Sequence, residues 1–183
     1  MGLEKESMTV MPWDWSYYSN KLKERDFNFN EELLRPYFEL SEVKEGVFGL
    51  ANRLYVITFK KNPEIQVYHK DVDAYEVFDK DGSFLAVLYT DFHPRAGKRA
   101  GAWMSGIKEQ WIDEKTGENS RPHIMLVMNF SKPTDDKPAL LTYMEVRTFL
   151  HEFGHGLHGI FANTTYESMS GPNVYWDFVE LPS

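Results

Sequence analysis

The chain has 183 residues, with 20 basic against 28 acidic side chains, a formal net charge of −8 and no cysteine. Hydrophobic residues make up 42% and aromatics 15%, enough for a packed core and too much for a disordered segment. The charge argues against a nucleic-acid partner, the lack of cysteine excludes disulfides and thiolate metal sites, and no apolar run approaches the roughly 18–20 residues of a membrane span.

The length predicts one domain, or part of one. The start, MGLEKESMTV, has no apolar h-region and reads as no secretory signal. Glu6 stands where a myristoylation site needs a hydroxyl. The first sixty residues read as helical. Pro12-Trp13-Asp14-Trp15-Ser16-Tyr17-Tyr18 opens a helix whose aromatics are expected in core or interhelix packing. A second helix is expected to be capped by Asn30, with Pro36 in its first turns. A third is expected from Ser41 to Phe59, with Val43, Val47, Leu50, Leu54 and Ile57 at helical spacing.

The period then changes. Val72 to Phe78 and Phe84 to Tyr89 read as strands joined by an Asp81-Gly82 turn. Gly101 to Trp111 reads as a third strand, His123 to Phe130 as a fourth and Ser131 to Pro138 as a loop. Lys98 and Arg99 are expected in a solvated loop; their other reading is a grip on a substrate carboxylate. Helices, then sheet, then helices make an α+β class.

Thr142-Tyr143-Met144-Glu145 matches a capping box, so a helix is expected from there to near Asn163. Val146, Phe149, Leu150, Phe153, Leu157, Ile160 and Phe161 share its apolar face. His151, His155 and His158 fall on the opposite side, beside Gly154, Gly159 and Ala162, which leave room for a close approach. His151-Glu152-Phe153-Gly154-His155 is an HExxH motif. Two histidines at i and i+4 point the same way and reach one zinc ion, while Glu152 is placed to act on a water that zinc activates. The position ten residues after His151 is Phe161, so the metzincin pattern is excluded. A catalytic zinc needs a third ligand, and Glu167, Asp177 and Glu180 are open to that role. His158 and Asp177 are read as cleft-lining or supporting residues.

His151-Glu152-Phe153-Gly154-His155-Gly156-Leu157-His158, with Asp177-Phe178-Val179-Glu180-Leu181-Pro182-Ser183, resembles the thimet oligopeptidase family of zinc peptidases. The likeness is greatest to its bacterial peptidyl-dipeptidases. It extends to residues 12–18, Pro36-Tyr37-Phe38-Glu39-Leu40, residues 76–82 and Gly101-Ala102-Trp103-Met104-Ser105. The resemblance implies His151, His155 and Glu180 as ligands of one zinc per chain and Glu152 as general base. It implies a gluzincin that hydrolyses short peptides and releases C-terminal dipeptides, in the cytoplasm, without nucleic acid or membrane. By analogy, Gly101, Ala102, Trp103 and Met104 belong to an edge strand that pairs with substrate.

The fold expected is therefore α+β: a zincin-like catalytic core with a small, mostly antiparallel sheet and the HExxH helix, cut from a larger, mainly α-helical peptidase. It is read as a single partial domain over 1–183, helical at 1–62, sheet at 63–138 and zinc-binding helices at 139–183. Family members are several times longer, and their downstream Gly-rich loop with substrate-binding His and Tyr residues has no counterpart before Ser183. A truncated fragment is expected, with self-association through surfaces the truncation exposes. The alternative expectation is a zinc-binding fragment of little or no activity.

Overall fold

The computed structural model describes residues 10–27 and 31–183. Helix α1 (Trp15–Phe27) comes first. Its aromatic opening is not core: none of its residues is buried, and Trp13, Trp15 and Tyr17 are 75%, 71% and 56% exposed. The expected cap Asn30 lies outside the described residues. The following stretch is not an α-helix but two 3₁₀ turns, Glu31–Leu33 and Arg35–Tyr37. Pro36 supplies no N–H there and so opposes a continued α-helical ladder.

Helix α2 (Leu40–Tyr55) ends four residues before Phe59, where sequence periodicity carried it. Val56 caps it in the left-handed region at φ 60°, a strained conformation for a β-branched residue. Asn52 holds the break by donating its side-chain amide to the Ile57 carbonyl. Ile57 is fully buried, and the chain continues as strand β1 (Thr58–Lys61).

Strands β2 (Val72–Phe78) and β3 (Phe84–Asp91) form the hairpin predicted from Asp81-Gly82. The Asp81 carboxylate accepts from the Ser83 amide, and Gly82 takes φ 83°. The expected long third strand is divided. Strand β4 (Trp103–Lys108) carries a bulge near Gly106, and Trp111–Ile112 forms a separate β5 with β6 (Asn119–Ser120). Strand β7 (His123–Val127) completes a five-stranded sheet in the order β1-β2-β3-β7-β4. Only β3 and β7 run parallel; the other neighbours are antiparallel. The architecture is thus a small α+β domain with a mostly antiparallel sheet, and β4 lies at the sheet's edge.

Helix α3 (Tyr143–Ile160) begins as the sequence predicts. The Thr142 hydroxyl accepts from the Glu145 amide at 3.1 Å, and the Glu145 carboxylate accepts from the Thr142 amide at 2.7 Å. Helices α2 and α3 bury Val47, Phe48, Phe149, Phe153 and Ile160 against sheet residues that include Leu88, Ile124 and Leu126. Burying each such side chain is worth about 1.5–3 kcal/mol before chain entropy is counted. The predicted stripe is narrower than expected, because Leu150 and Phe161 remain 39% exposed. A one-turn helix α4 (Trp176–Val179) closes the chain.

Candidate metal centre

Helix α3 is anchored at one end by its capping box and along its length by the core, so its other faces are held in a fixed orientation. His151 and His155, one turn apart, have ring centroids 4.8 Å apart and ring planes at 81°. Glu180, the residue that ends α4, brings its Oε2 to 3.4 Å from His151 Nε2 and 3.4 Å from His155 Nε2. The three groups offer ligand atoms that all lie within 4.8 Å of one another. A separation of 3.4 Å is long for a hydrogen bond. It matches the roughly 3.3 Å edge of a tetrahedron built on metal–ligand bonds near 2.0–2.1 Å. Two imidazoles and one carboxylate are also the donor set of an open catalytic zinc site. The residues therefore fit a metal ion of this kind.

Glu152 follows His151 but points inward and is 8% exposed. Burial pushes its carboxyl up from the usual range, against the opposing pull of His151, His155 and the Met104 backbone amide. A cleft of about 590 Å³ lies over the cluster, lined by Ala102, Trp103 and Met104 of the β4 side and by His151, Glu152, His155 and Glu180. Gly101 stands just before β4 at φ 98°, outside the cleft wall. Asn129 donates to the carbonyls of Arg99 and Gly101 at 2.9 and 2.7 Å, which fixes the turn into the edge strand.

His158 is brought to a different place. Its ring faces Phe178 at 6.1 Å and lines a neighbouring groove, and burial pushes its pKa down. The Nδ1 atoms of His155 and His158 are buried without a hydrogen-bond partner among the described residues. Asp177 is exposed on α4, and no hydrogen bond or ion pair joins it to a histidine among the described residues. Glu167 lies in a 3₁₀ turn outside the cluster.

The expectation of a solvated Lys98 fails. Its side chain is 3% exposed, and its ammonium donates to the Asp91 carboxylate at 2.8 Å and the His93 carbonyl at 2.9 Å. It is therefore unavailable for a substrate carboxylate. Arg99 is exposed, with its guanidinium 5.7 Å from the centre of the Trp103 ring.

The small residues of α3 have a role the sequence hinted at without resolving. A Cβ on Gly154 would stand 2.5 Å from Ser183 Cα, and one on Gly171 would stand 3.0 Å from Gly159 Cα. What approaches α3 at Gly154, and at the Gly159 backbone by way of Gly171, is thus the chain's own C-terminal segment, which carries Glu180, whereas a Cβ on Gly156 or Gly159 would meet the sheet side chains of Leu126 and Ile124. Sequence reasoning missed Pro172, Asn173, Val174 and Trp176, which line the cleft on that segment. The Gly171-Pro172 pair was the available turn signal.

Comparison with known proteins gives the family of the chain. The signature of Peptidase family M3 matches residues 2–183. Dipeptidyl carboxypeptidase of Salmonella typhimurium is 45% identical over 181 residues, covering 98% of this chain and 26% of that protein. Oligopeptidase A of Escherichia coli is 39% identical over 175 residues, 95% of this chain and 26% of that protein. Saccharolysin of Saccharomyces cerevisiae is 38% identical over 180 residues, 93% of this chain and 25% of that protein. The chain spans about a quarter of the length of these relatives. With the whole of its described structure inside the matched region, the chain belongs to Peptidase family M3.

Proposed function

We propose that this chain supplies the metal-binding and general-base part of a zinc peptidase acting on short peptides. His151, His155 and Glu180 would hold one zinc ion, and Glu152 is the base. The observation that carries the reading is the convergence of the three ligand atoms within 4.8 Å, beside a buried glutamate on the same helix. Zinc, when bound, lowers the pKa of water toward about 7 and polarises a peptide carbonyl. Glu152 accepts the proton of the attacking water and returns it to the leaving amine, a task suited to a carboxylate whose affinity for protons is raised by burial. The free edge of β4 offers backbone groups to an extended peptide, and Ala102, Trp103 and Met104 hold that peptide along the cleft. Likeness to dipeptidyl carboxypeptidase favours release of C-terminal dipeptides, and the proposed setting for that reaction is the cytoplasm.

A second reading is a segment that holds zinc with little turnover. It is favoured by the placement of Glu180, whose side chain is 61% exposed at the end of a four-residue helix. One set of samples separates the two. Elemental analysis of dialysed protein should find about one zinc per chain, lost in Glu180→Ala. Glu152→Gln should keep zinc and lose peptide hydrolysis. Zinc retained by Glu180→Ala would refute the ligand set, and hydrolysis retained by Glu152→Gln would refute the base. Zinc without hydrolysis in the wild-type chain selects the second reading.

A further inference from the structure

Above α3, the cleft over the metal cluster is walled by residues 102–104 on the β4 side and by the C-terminal segment from Pro172 to Glu180. Sorting the lining side chains by chemistry leaves one polar group without a task. His151, His155 and Glu180 are the candidate metal ligands, and Glu152 is the buried carboxyl beside them. Trp103 and Trp176 carry only an indole donor. Asn173 lines the same cleft with a carboxamide, which holds both N–H donors and a carbonyl acceptor.

The backbone at Asn173 is held while its side chain is left free. Gly171 takes φ 51°, and a Cβ there would stand 3.0 Å from Gly159 Cα, so the turn is pressed against α3. Ser170 is buried, and its carbonyl accepts from the Asn173 amide at 3.1 Å. Pro172 has its φ fixed by its ring, and its carbonyl accepts from the Val174 amide at 2.8 Å. Asn173 is exposed, and no hydrogen bond engages its side chain among the described residues. A free carboxamide on a fixed backbone loses little further freedom when it takes a partner.

An extended peptide that pairs antiparallel with the free edge of β4 presents its backbone groups alternately. One residue exchanges N–H and C=O with the strand, and the next points both away from it. Those outward groups give up water in the cleft and need partners that β4 does not supply. We propose that Asn173 is that partner, its carboxamide accepting from the N–H and donating to the C=O of one substrate residue. This role rests on the reading of the cleft as a peptide site, and it makes Asn173 a reader of main chain rather than of side chains. It carries a specificity: the substrate residue facing Asn173 must offer an N–H, so proline or an N-methylated residue is rejected at that position.

The test titrates tetra-alanine, and analogues of it N-methylated at one amide each, into the zinc-loaded Glu152→Gln chain, in which hydrolysis is not expected. By heteronuclear NMR the side-chain amide signals of Asn173 should shift as peptide is added. Asn173→Ala should weaken binding about tenfold, the scale of a lost pair of hydrogen bonds, and should keep its zinc. Asn173→Asp, which keeps the shape and removes the donor, should weaken it too. One N-methylated analogue should lose about as much affinity as Asn173→Ala does, and should lose nothing further in that variant. Losses that add would overturn the proposal, as would peptide affinity within about twofold of the parent in Asn173→Ala. Loss of zinc in Asn173→Ala would overturn it as well, by placing the effect on Glu180. A chain that takes up no zinc or no tetra-alanine would refute the peptidase reading and this role with it, whereas binding of both that ignores Asn173 would refute this role alone.

Discussion

Replacing Gly154 by alanine should weaken metal binding without weakening the fold. The added methyl carbon would lie 2.5 Å from Ser183 Cα and 2.6 Å from the Pro182 carbonyl oxygen, where ordinary contact needs 3.4–4 Å. Both obstacles are backbone atoms, so no rotamer change relieves the overlap. The C-terminal segment must move by about 1 Å, since α3 is fixed by the core it packs into. Glu180 moves with it: the Ser183 hydroxyl donates to the Glu180 carbonyl at 2.8 Å. Metal bonds tolerate about 0.2 Å, so a shift of that size removes one ligand from three. A 10–100-fold loss of zinc affinity is expected, the range seen when groups that orient ligands are altered. The helix itself gains, because alanine exceeds glycine by about 1 kcal/mol in helix propensity. Competition of zinc against a chromophoric chelator, with circular dichroism melting, reads the two effects separately. Gly156→Ala is the control, since its methyl would meet the movable Leu126 Cδ2 at 3.2 Å. Zinc affinity within twofold of wild type in folded Gly154→Ala would refute the account, as would a large fall in melting temperature with affinity unchanged.

Two further predictions concern stability. Asp91 is 1% exposed; burial alone would raise its pKa, but hydrogen bonds from Arg95, Lys98 and Tyr68 bring it down to about 2. Its contribution is therefore fully present above about pH 4, near the unfolded carboxyl pKa, and is lost as pH falls toward 2. The loss is about 2 kcal/mol at 1.4 kcal/mol per pH unit. Urea unfolding across that range should show the slope in wild type and a shallower one in Asp91→Asn, and identical slopes would refute the assignment. In α2, a Cβ on Gly46 or Gly49 meets nothing within 4 Å, so alanine at either position should stabilise by roughly 0.5–1 kcal/mol. Chemical denaturation that shows no gain at either position would argue against helix at that point.

How far the sequence could be read depended on how local the determining physics was. The α3 start was legible because Thr142 and Glu145 satisfy each other's backbone within four residues. The hairpin was legible because Asp81-Gly82 encodes its own turn. The motif on α3 was legible because i,i+4 geometry holds on any helix. The end of α2 was not, since Val56 takes a left-handed conformation that its side chain disfavours, and pairing of Thr58–Lys61 with β2 decides the matter. Lys98 was misread for the same reason: its burial follows from Asp91, seven residues away on β3. Glu180 as third ligand could be drawn from spacing only as one of three choices. Its approach to α3 depends on glycine–backbone contacts that no local pattern encodes.

The candidate metal centre is consequently built from parts of unequal rigidity. His151 and His155 stand on an 18-residue helix whose Phe149, Phe153 and Ile160 are buried in the core. Glu180 ends a helix of four residues with none buried. The two proposed histidine ligands are thus in place before any metal arrives, and the proposed third, Glu180, must be held against the loss of chain entropy that its ordering costs, about 1–2 kcal/mol per residue. Metal at Glu180 orders those same residues, so zinc binding and the ordering of α4 are linked equilibria, and each must favour the other by the same factor. Zinc should therefore slow hydrogen exchange at the backbone amides of residues 176–180, and should not do so in Glu180→Ala. Exchange that is equally slow with and without zinc would show that the segment is held by the contacts of Ser183 with Gly154 and of Gly171 with Gly159 alone.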